Sequence, residues 1–445
     1  MTHSVNLPAG WTITALGECT EFNPKHPADT PRHIKVSFVP MPAVDEHTGA
    51  IEEPQTRTLE EVWKGYTHFQ NGDVIFAKIT PCMENGKAAV ARGLENGLAC
   101  GSTEFHVLRP LGGIMPEYLW RYLRQASFRR DAEQAMTGAV GQRRVPAEYL
   151  KSREFNLPPL PEQRRIVSKI DSLAGKSKRA RDHLDHIPRL VEKYKEAILQ
   201  AAFSGEVTDK AHKGMFTPIP FAEVVASTFY GPRIASAAYV ERGIPTLRTT
   251  DISEWGRLIL RSPPQVQVSE SDFAKWSLQD QDLIVTRTGA TIGKCAVYEK
   301  TIGPALPSAY LIRVRLLLDK IDAKYALLFL LSPDGQRQLL AGRTAVAQPN
   351  INAGAICAVT LPVPKLEIQR ELVRRIESAF AWIDRLASEA TSARKLIDHL
   401  DQAILSRAFR GELVPQDPND EPASVLLERI RTVKAEESGK KRGRR

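Results

Sequence analysis

The side chains best placed to do chemistry in this chain are basic residues set at the ends of glycine-containing turns. Arg287 and Lys294 flank the run Gly289-Ala290-Thr291-Ile292-Gly293, and Lys78 and Lys87 stand the same way around a turn that closes on Gly86. A short apolar strand that reaches a basic residue and then turns presents cations at a loop tip. Residues 289–295 bear a superficial likeness to a phosphate-binding loop. The glycines, however, are four apart where that loop has five, and Cys295 stands where the magnesium-binding Ser or Thr belongs. A turn between two strands is the reading that fits.

Catalytic signatures are missing. There is no His-Glu-x-x-His, no Gly-x-Ser-x-Gly, no Gly-x-Gly-x-x-Gly and no Asn-Pro-Pro-Tyr type motif. The five cysteines (Cys19, Cys82, Cys100, Cys295, Cys357) are scattered, with no Cys-x-x-Cys pair and no histidine at metal-ligand spacing. We therefore expect no catalytic residue, no metal and no cofactor in this chain. Of the six tryptophans, Trp11, Trp63, Trp120, Trp255 and Trp276 read as packing residues rather than stacking platforms.

The elements that position the basic residues come next. A chain of 445 residues predicts roughly two to four domains, and 42% hydrophobic with 25% charged residues is an ordinary globular composition. The 61 basic against 52 acidic residues leave +9, which suits a polyanionic partner but is common without one. No stretch approaches the roughly 18 apolar residues of a membrane helix, and the N-terminus lacks a secretory pattern. The expectation is a cytoplasmic protein with no membrane contact.

The strongest signal is an internal repeat. Leu157 to Thr208 aligns without a gap on Val363 to Val414 at an offset of 206, with 16 of 52 positions identical; composition alone would give roughly three. Both copies carry an apolar seam of mean period 3.5. The first runs Ile166, Ile170, Leu173, Ser177, Ala180, Leu184, Ile187, Val191, Tyr194, Ile198. The second runs Leu372, Ile376, Ala379, Ile383, Leu386, Ala390, Ala393, Ile397, Leu400, Ile404. Each predicts a rod of roughly 60 Å that must bury its seam, most economically on the other copy. Pro188 lies inside the first seam and predicts a kink or break there.

The segments before each rod match as well. Gly72 to Lys78 aligns with Gln281 to Arg287, Gly86-Lys87 with Gly293-Lys294, and Ala139 to Gln142 with Ala345 to Gln348. The fold class is thus α+β: two globules, 1–156 and 209–362, each followed by a long helix, 157–208 and 363–414. Residues 415–445 form an extension with a short helix near Val425 to Val433 and a disordered basic end, Lys440 to Arg445.

The Leu-Pro-Pro-Leu-Pro-Glu-Gln-Arg-Arg-Ile run at 157–166, its echo at 363–372 and the paired Phe-x-Gly-Glu ends, in this two-globule layout, resemble the specificity subunit of type I restriction-modification enzymes. The resemblance covers the chain to about residue 414. It departs where Lys365-Leu366-Glu367-Ile368 replaces Pro159-Leu160-Pro161-Glu162. It implies that each globule is a target recognition domain for half of a bipartite site on double-stranded DNA. The helices would pair as an antiparallel coiled coil with pseudo-twofold symmetry. The chain itself would be non-catalytic: two methyltransferase subunits would methylate adenine with S-adenosylmethionine, and restriction subunits using ATP and magnesium would cut.

On that resemblance the candidate DNA-binding residues are Lys78, Lys87, Gln142, Arg143 and Arg144 in the first globule. In the second they are Arg287, Lys294, Gln348 and Asn350, with Arg233 and Arg248 secondary. Arginine forks to guanine, Gln and Asn pair with adenine, and Lys positions phosphate. The bland reading for each is a solvated surface charge. Charge does not choose: 1–156 holds 17 basic and 18 acidic side chains, and 209–362 holds 17 and 13. Gln163, Arg164, Phe203, Gln369, Arg370 and Phe409, on the helices, are the candidate partner-docking residues. The alternative is a coiled-coil scaffold whose globules bind proteins.

Overall fold

The computed structural model describes residues 7–46, 48–139, 141–204, 216–341 and 350–442. The chain forms two compact units, Met1–Leu184 with Ser392–Arg445, and Asp185–Thr391. Compactness therefore divides the chain inside the two long helices, not at 156, 208 and 362.

The two units are built alike. In the first, a four-stranded antiparallel sheet runs in the order Thr20–Phe22, Phe105–Pro110, Val74–Ala77, Ala88–Val90. The second repeats it as Val225–Tyr230, Leu311–Leu316, Leu283–Thr286, Cys295–Val297. Each unit adds a second four-stranded sheet containing one parallel pairing, Lys35–Val39 with Leu98–Gly101 and Ile244–Leu247 with Leu306–Pro307. Thr12–Ala15 pairs with Glu154–Leu157, and Thr217–Pro220 with Thr360–Val363, at the junction between globule and rod. Short runs of Val, Ile, Leu and Phe build the central strands. The strands Val74–Ala77 and Leu283–Thr286 are buried throughout, as expected of central strands covered on both faces.

A buried ion pair pins the same corner of each sheet. Arg109 donates through Nε and Nη2 to Asp73, both at 2.9 Å, and Arg315 Nε donates to Asp282 at 3.2 Å. Two helices follow in each unit, Pro116–Leu123 and Ala126–Gln134, then Ala323–Leu331 and Pro333–Ala341. Tyr118 Oη donates to the carbonyl of Asn156 and Tyr325 Oη to that of Pro362, tying the first helix of each pair to the junction strand.

The rods differ in continuity. Leu366–Phe409 is one helix of 44 residues. The first copy is interrupted: Leu160–Asp185 ends, His186 caps, and Ile187–Phe203 begins with Pro188 in its first turn. The break expected at Pro188 is observed. A proline in a first turn lacks only an N–H that has no helical partner there anyway.

In each unit the two helices run antiparallel. Within the first, Ile166 and Ile170 share a core with Ala408 and Phe409, while Ser177 Oγ donates to Asp401 at 2.7 Å. Arg181 pairs with Asp398 and Asp401. Within the second, Leu199 and Ala202 share a core with Leu372, Val373, Ile376 and Phe380, and Lys195 pairs with Asp384 at 2.6 Å. Three expected seam positions are corrected: Tyr194, Leu386 and Leu400 are 59%, 41% and 53% exposed. Beyond Pro188 the buried stripe moves one residue, to Lys195, Leu199 and Ala202, because the break restarts the helical phase.

The C-terminal extension is also corrected. Its helix spans Ala423–Arg442, longer than expected and including the first basic residues of the tail. It is held by burial of Ala423, Leu427 and Ile430, by an Ala423 N–H donated to the Gly10 carbonyl, and by Lys434 Nζ on the carbonyls of Gly17 and Glu18. Arg444 and Arg445 lie outside the described residues. Among the described residues no helix is long and apolar enough to cross a membrane.

Candidate nucleic-acid interface

The turns that carry the basic residues are hairpins, as expected. Leu283–Thr286 pairs antiparallel with Cys295–Val297, and Val74–Ala77 with Ala88–Val90. Gly293 and Gly86 close them at φ of +86° and +83°, which a side chain rarely adopts. A Cβ at Gly293 would also meet Gln336 Oε1 at 3.0 Å, and one at Gly86 would meet Arg129 Nη1 at 2.9 Å.

Main-chain bonds then show which positions correspond. The Arg287 N–H donates to the Tyr310 carbonyl, and the Arg287 carbonyl accepts from Ile351 N–H. The Lys78 N–H donates to the Glu104 carbonyl, and the Lys78 carbonyl accepts from Val145 N–H. Bridges Thr288 to Asn350 and Ile79 to Arg144 complete the frame. Lys78 therefore stands for Arg287, Glu104 for Tyr310 and Arg144 for Asn350.

On that shared frame the side chains differ. In the second unit Arg287 Nε–H donates to Asn350 Oδ1 at 3.1 Å, and its guanidinium carbon lies 4.7 Å from the Tyr230 ring centroid. The Tyr230 hydroxyl accepts the Ala353 N–H at 2.9 Å, which fixes the ring. Tyr230 and Tyr310 are 40% and 61% exposed. In the first unit Arg144 closes a bidentate pair on Glu104, Nε and Nη2 each donating at 2.9 Å, and gives Nη1 to the Gln142 carbonyl. The Arg144 guanidinium holds the Glu104 carboxyl below the usual carboxylate range.

The remaining candidates are placed as follows. Arg143 Nη2 donates to the Glu133 carbonyl at 2.6 Å, and Gln142 is exposed. Lys294 pairs with Glu254 at 2.6 Å and is half-buried. Lys87 is partly exposed on the hairpin. Arg248 forks onto Asp251 and the Arg261 carbonyl. Gln348 lies outside the described residues. The structure thus brings Arg287 and Asn350 together and adds Tyr230, Tyr310 and Glu104, which sequence reasoning missed. Only the offset of 206 between Arg144 and Asn350 could have flagged the frame.

The docking residues are corrected in part. Gln163 and Gln369 are fully buried, and each clasps its own globule. Gln163 Nε2 donates to the carbonyls of Gly113 and Pro158 while Oε1 accepts Met115 N–H. Gln369 makes the same bonds with Lys320, Pro364 and Asp322. An amide satisfied inside the fold has no edge left for a partner. Phe203 packs on Tyr325 and Phe329, and Phe409 on Tyr118 and Tyr122. Arg164 and Arg370 remain exposed.

One cluster had no local signal. His26, His68 and Cys100 bring their ligand atoms within 4.8 Å of one another. Hydrogen bonds already occupy the rings: His26 Nε2 contacts the Ala99 carbonyl, His68 Nε2 that of Trp63, and His68 Nδ1 accepts the His26 N–H. Burial pushes the Cys100 thiol up to about 12 and holds His26 down at about 4. Neutral, hydrogen-bonded core packing accounts for the three. The tryptophans also pack as expected, with Trp11 donating to Glu162 and Trp120 to the Ala88 carbonyl. Cys295, at the end of the hairpin, is buried.

The type I restriction modification DNA specificity domain family matches residues 10–182 and 239–389. The type I restriction enzyme EcoEI specificity subunit of Escherichia coli is 27% identical over an alignment covering 91% of this chain and 83% of its own. Among solved structures, the HsdS subunit from Thermoanaerobacter tengcongensis has a TM-score of 0.65 at 22% identity, covering 93% of this chain and all of its own. A chain solved for complex assembly and conformational transition of the type I R-M system reaches 0.72 at 21%, covering 92% of this chain and all of its own. The structural likenesses show the fold, and the family match over both repeats shows the lineage. The chain belongs to the family of type I restriction-modification specificity subunits.

Proposed function

We propose that this specificity subunit holds double-stranded DNA at a bipartite target, each globule (1–156 and 209–362) reading one half-site. The segments 157–208 and 363–414 space the two readers, and the helix Ala423–Arg442 braces the first. The observation that supports this most is the repeated frame: the same strand order, in both units, delivers a basic residue, Lys78 or Arg287, to the same hairpin exit. As the non-catalytic recognition component, the chain leaves the chemistry to partners. Two methyltransferase subunits, using S-adenosylmethionine, would methylate one adenine per half-site, and restriction subunits using ATP and magnesium would cut. Reaching an adenine amine in a duplex requires flipping the base, so this subunit's task is to grip the flanking duplex.

The geometry supports Arg287, Asn350, Lys78, Lys87 and Gln142 as contacts to DNA. Arg143, Arg144 and Lys294 support the loops that carry them, and exposed Arg164 and Arg370 face the methyltransferase. Purified with its methyltransferase, the chain is expected to direct adenine methylation to one split motif, read out by sequencing methylated DNA. Methylation of an unbroken motif overturns the proposal. So does binding that stays flat across a salt titration, since phosphate contacts make affinity fall steeply with salt.

A further inference from the structure

We infer that the second unit reads a guanine through Arg287, with Tyr230 and Asn350 as positioning residues, while the first unit has no arginine reader at the matching place. The inference rests on the reading of each unit as a half-site reader and names the chemistry of one of them.

A guanidinium offers five N–H donors in one plane. Asn350 Oδ1 takes the one on Nε at 3.1 Å, and among the described residues no acceptor takes those on Nη1 and Nη2. The Tyr230 ring lies 4.7 Å from the guanidinium carbon and is itself anchored through its hydroxyl to Ala353 N–H. The backbone of Arg287 is bonded on both sides, to Tyr310 and Ile351. The side chain is therefore held in position and in plane, with a two-nitrogen edge left to donate.

A phosphate contact needs only a nearby positive charge, and a mobile lysine serves. Holding a planar fork in one orientation before binding is useful when the target presents two acceptors side by side, because less freedom is then lost on contact. In the major groove the N7 and O6 atoms of guanine are that pair. Arg287 is itself partly exposed, and Tyr230 and Tyr310 beside it are 40% and 61% exposed.

The first unit uses the same frame differently. Arg144 stands where Asn350 stands, but its Nε and Nη2 are spent on Glu104, which occupies the position of Tyr310. The residue at the place of Arg287 is Lys78, a single-point donor. Guanine reading by an arginine fork is absent from this place in the first unit.

The test uses the full chain with its methyltransferase partner and sequences the methylated products of a randomised target library. For Arg287→Lys the expected result is loss of selectivity by about tenfold or more at a single guanine of one half-site, with the other half-site unchanged. Asn350→Ala and Tyr230→Ala should relax the same position by less. Tyr230→Phe, which keeps the ring, should restore most of the selectivity. Binding of the unmodified protein to duplexes carrying 7-deazaguanine, which lacks the N7 acceptor, should weaken at that position alone; this arm holds even if a variant fails to fold. The inference is overturned if Arg287→Lys weakens both half-sites equally without changing base choice, or if no guanine is sensitive to removal of N7. An unbroken wild-type motif is a separate outcome that removes the bipartite reading itself.

Discussion

The two units share a scaffold and differ at its tip. Buried Gln163 and Gln369, Tyr118 and Tyr325, and the pairs Arg109–Asp73 and Arg315–Asp282 occupy matching places and make matching bonds. On the hairpin exit, by contrast, one unit carries Lys78, Glu104 and Arg144 at the places where the other carries Arg287, Tyr310 and Asn350. One unit ends in a closed ion pair, the other in an arginine with two nitrogens to spare. The backbone bonds that place these side chains do not depend on what the side chains are. A reading surface can therefore be rewritten without refolding what carries it.

The comparison is broken most directly at the scaffold. Gln163→Ala and Gln369→Ala each leave a buried N–H and two carbonyls without partners, and each should cost about 3 kcal/mol in chemical denaturation. Near-equal losses would confirm that the clasps are equivalent; a loss on one side only would show that the scaffold is not shared. Asp384→Ala should cost about 2–3 kcal/mol in the second unit, because Lys195, 4% exposed between Trp255 and Phe380, is left as an uncompensated charge.

Acid should separate the units. Burial holds His26 at about 4 and keeps His68 and His106 below the ordinary histidine value. The position of His106 is taken by Ile312 in the second unit. A group whose folded pKa is depressed leaves the unfolded chain binding more protons, so its contribution is present above about 6.5 and is lost as pH falls toward 4. Hydrogen exchange at pH 7.5 and pH 5 should show protection falling more in the first unit. Equal losses in both would contradict the assignment of these histidines as neutral.

The smallest effect is expected at the tip itself. Glu104→Gln breaks a pair that is partly solvated, with side chains 42% and 25% exposed, so it should leave the thermal unfolding midpoint nearly unchanged. A larger loss would make the pair part of the scaffold. Replacing Glu104 by Tyr and Arg144 by Asn, together with Lys78→Arg, should move the base choice of the first half-site toward that of the second. No change of motif would show that residues beyond the hairpin decide the reading.

How much was legible follows from range. The 3.5-residue seams, the break at Pro188 and the strand-turn-strand around Gly293 depend on neighbours within a few positions, and each was readable. The seam failed at Tyr194, where the break shifts the helical phase, and at Leu386 and Leu400, which keep an apolar spacing without burial. Gln163 and Gln369 looked like surface residues because nothing local says that two backbone groups of the preceding globule converge on each of them. The helix Ala423–Arg442 was underestimated because what holds it, Gly10, Gly17 and Glu18, lies at the other end of the chain.

The amino-acid order alone determined the repeat and the alternation of globule and rod, since periodicity and offset are properties of one dimension. Only the tertiary structure decided which cations are spent and which are available. Arg144 and Arg287 look alike in the chain. A distant carboxylate closes one, while a distant amide and ring aim the other, and hydrogen-bond partners tens of residues apart are chosen by folding and not by spacing.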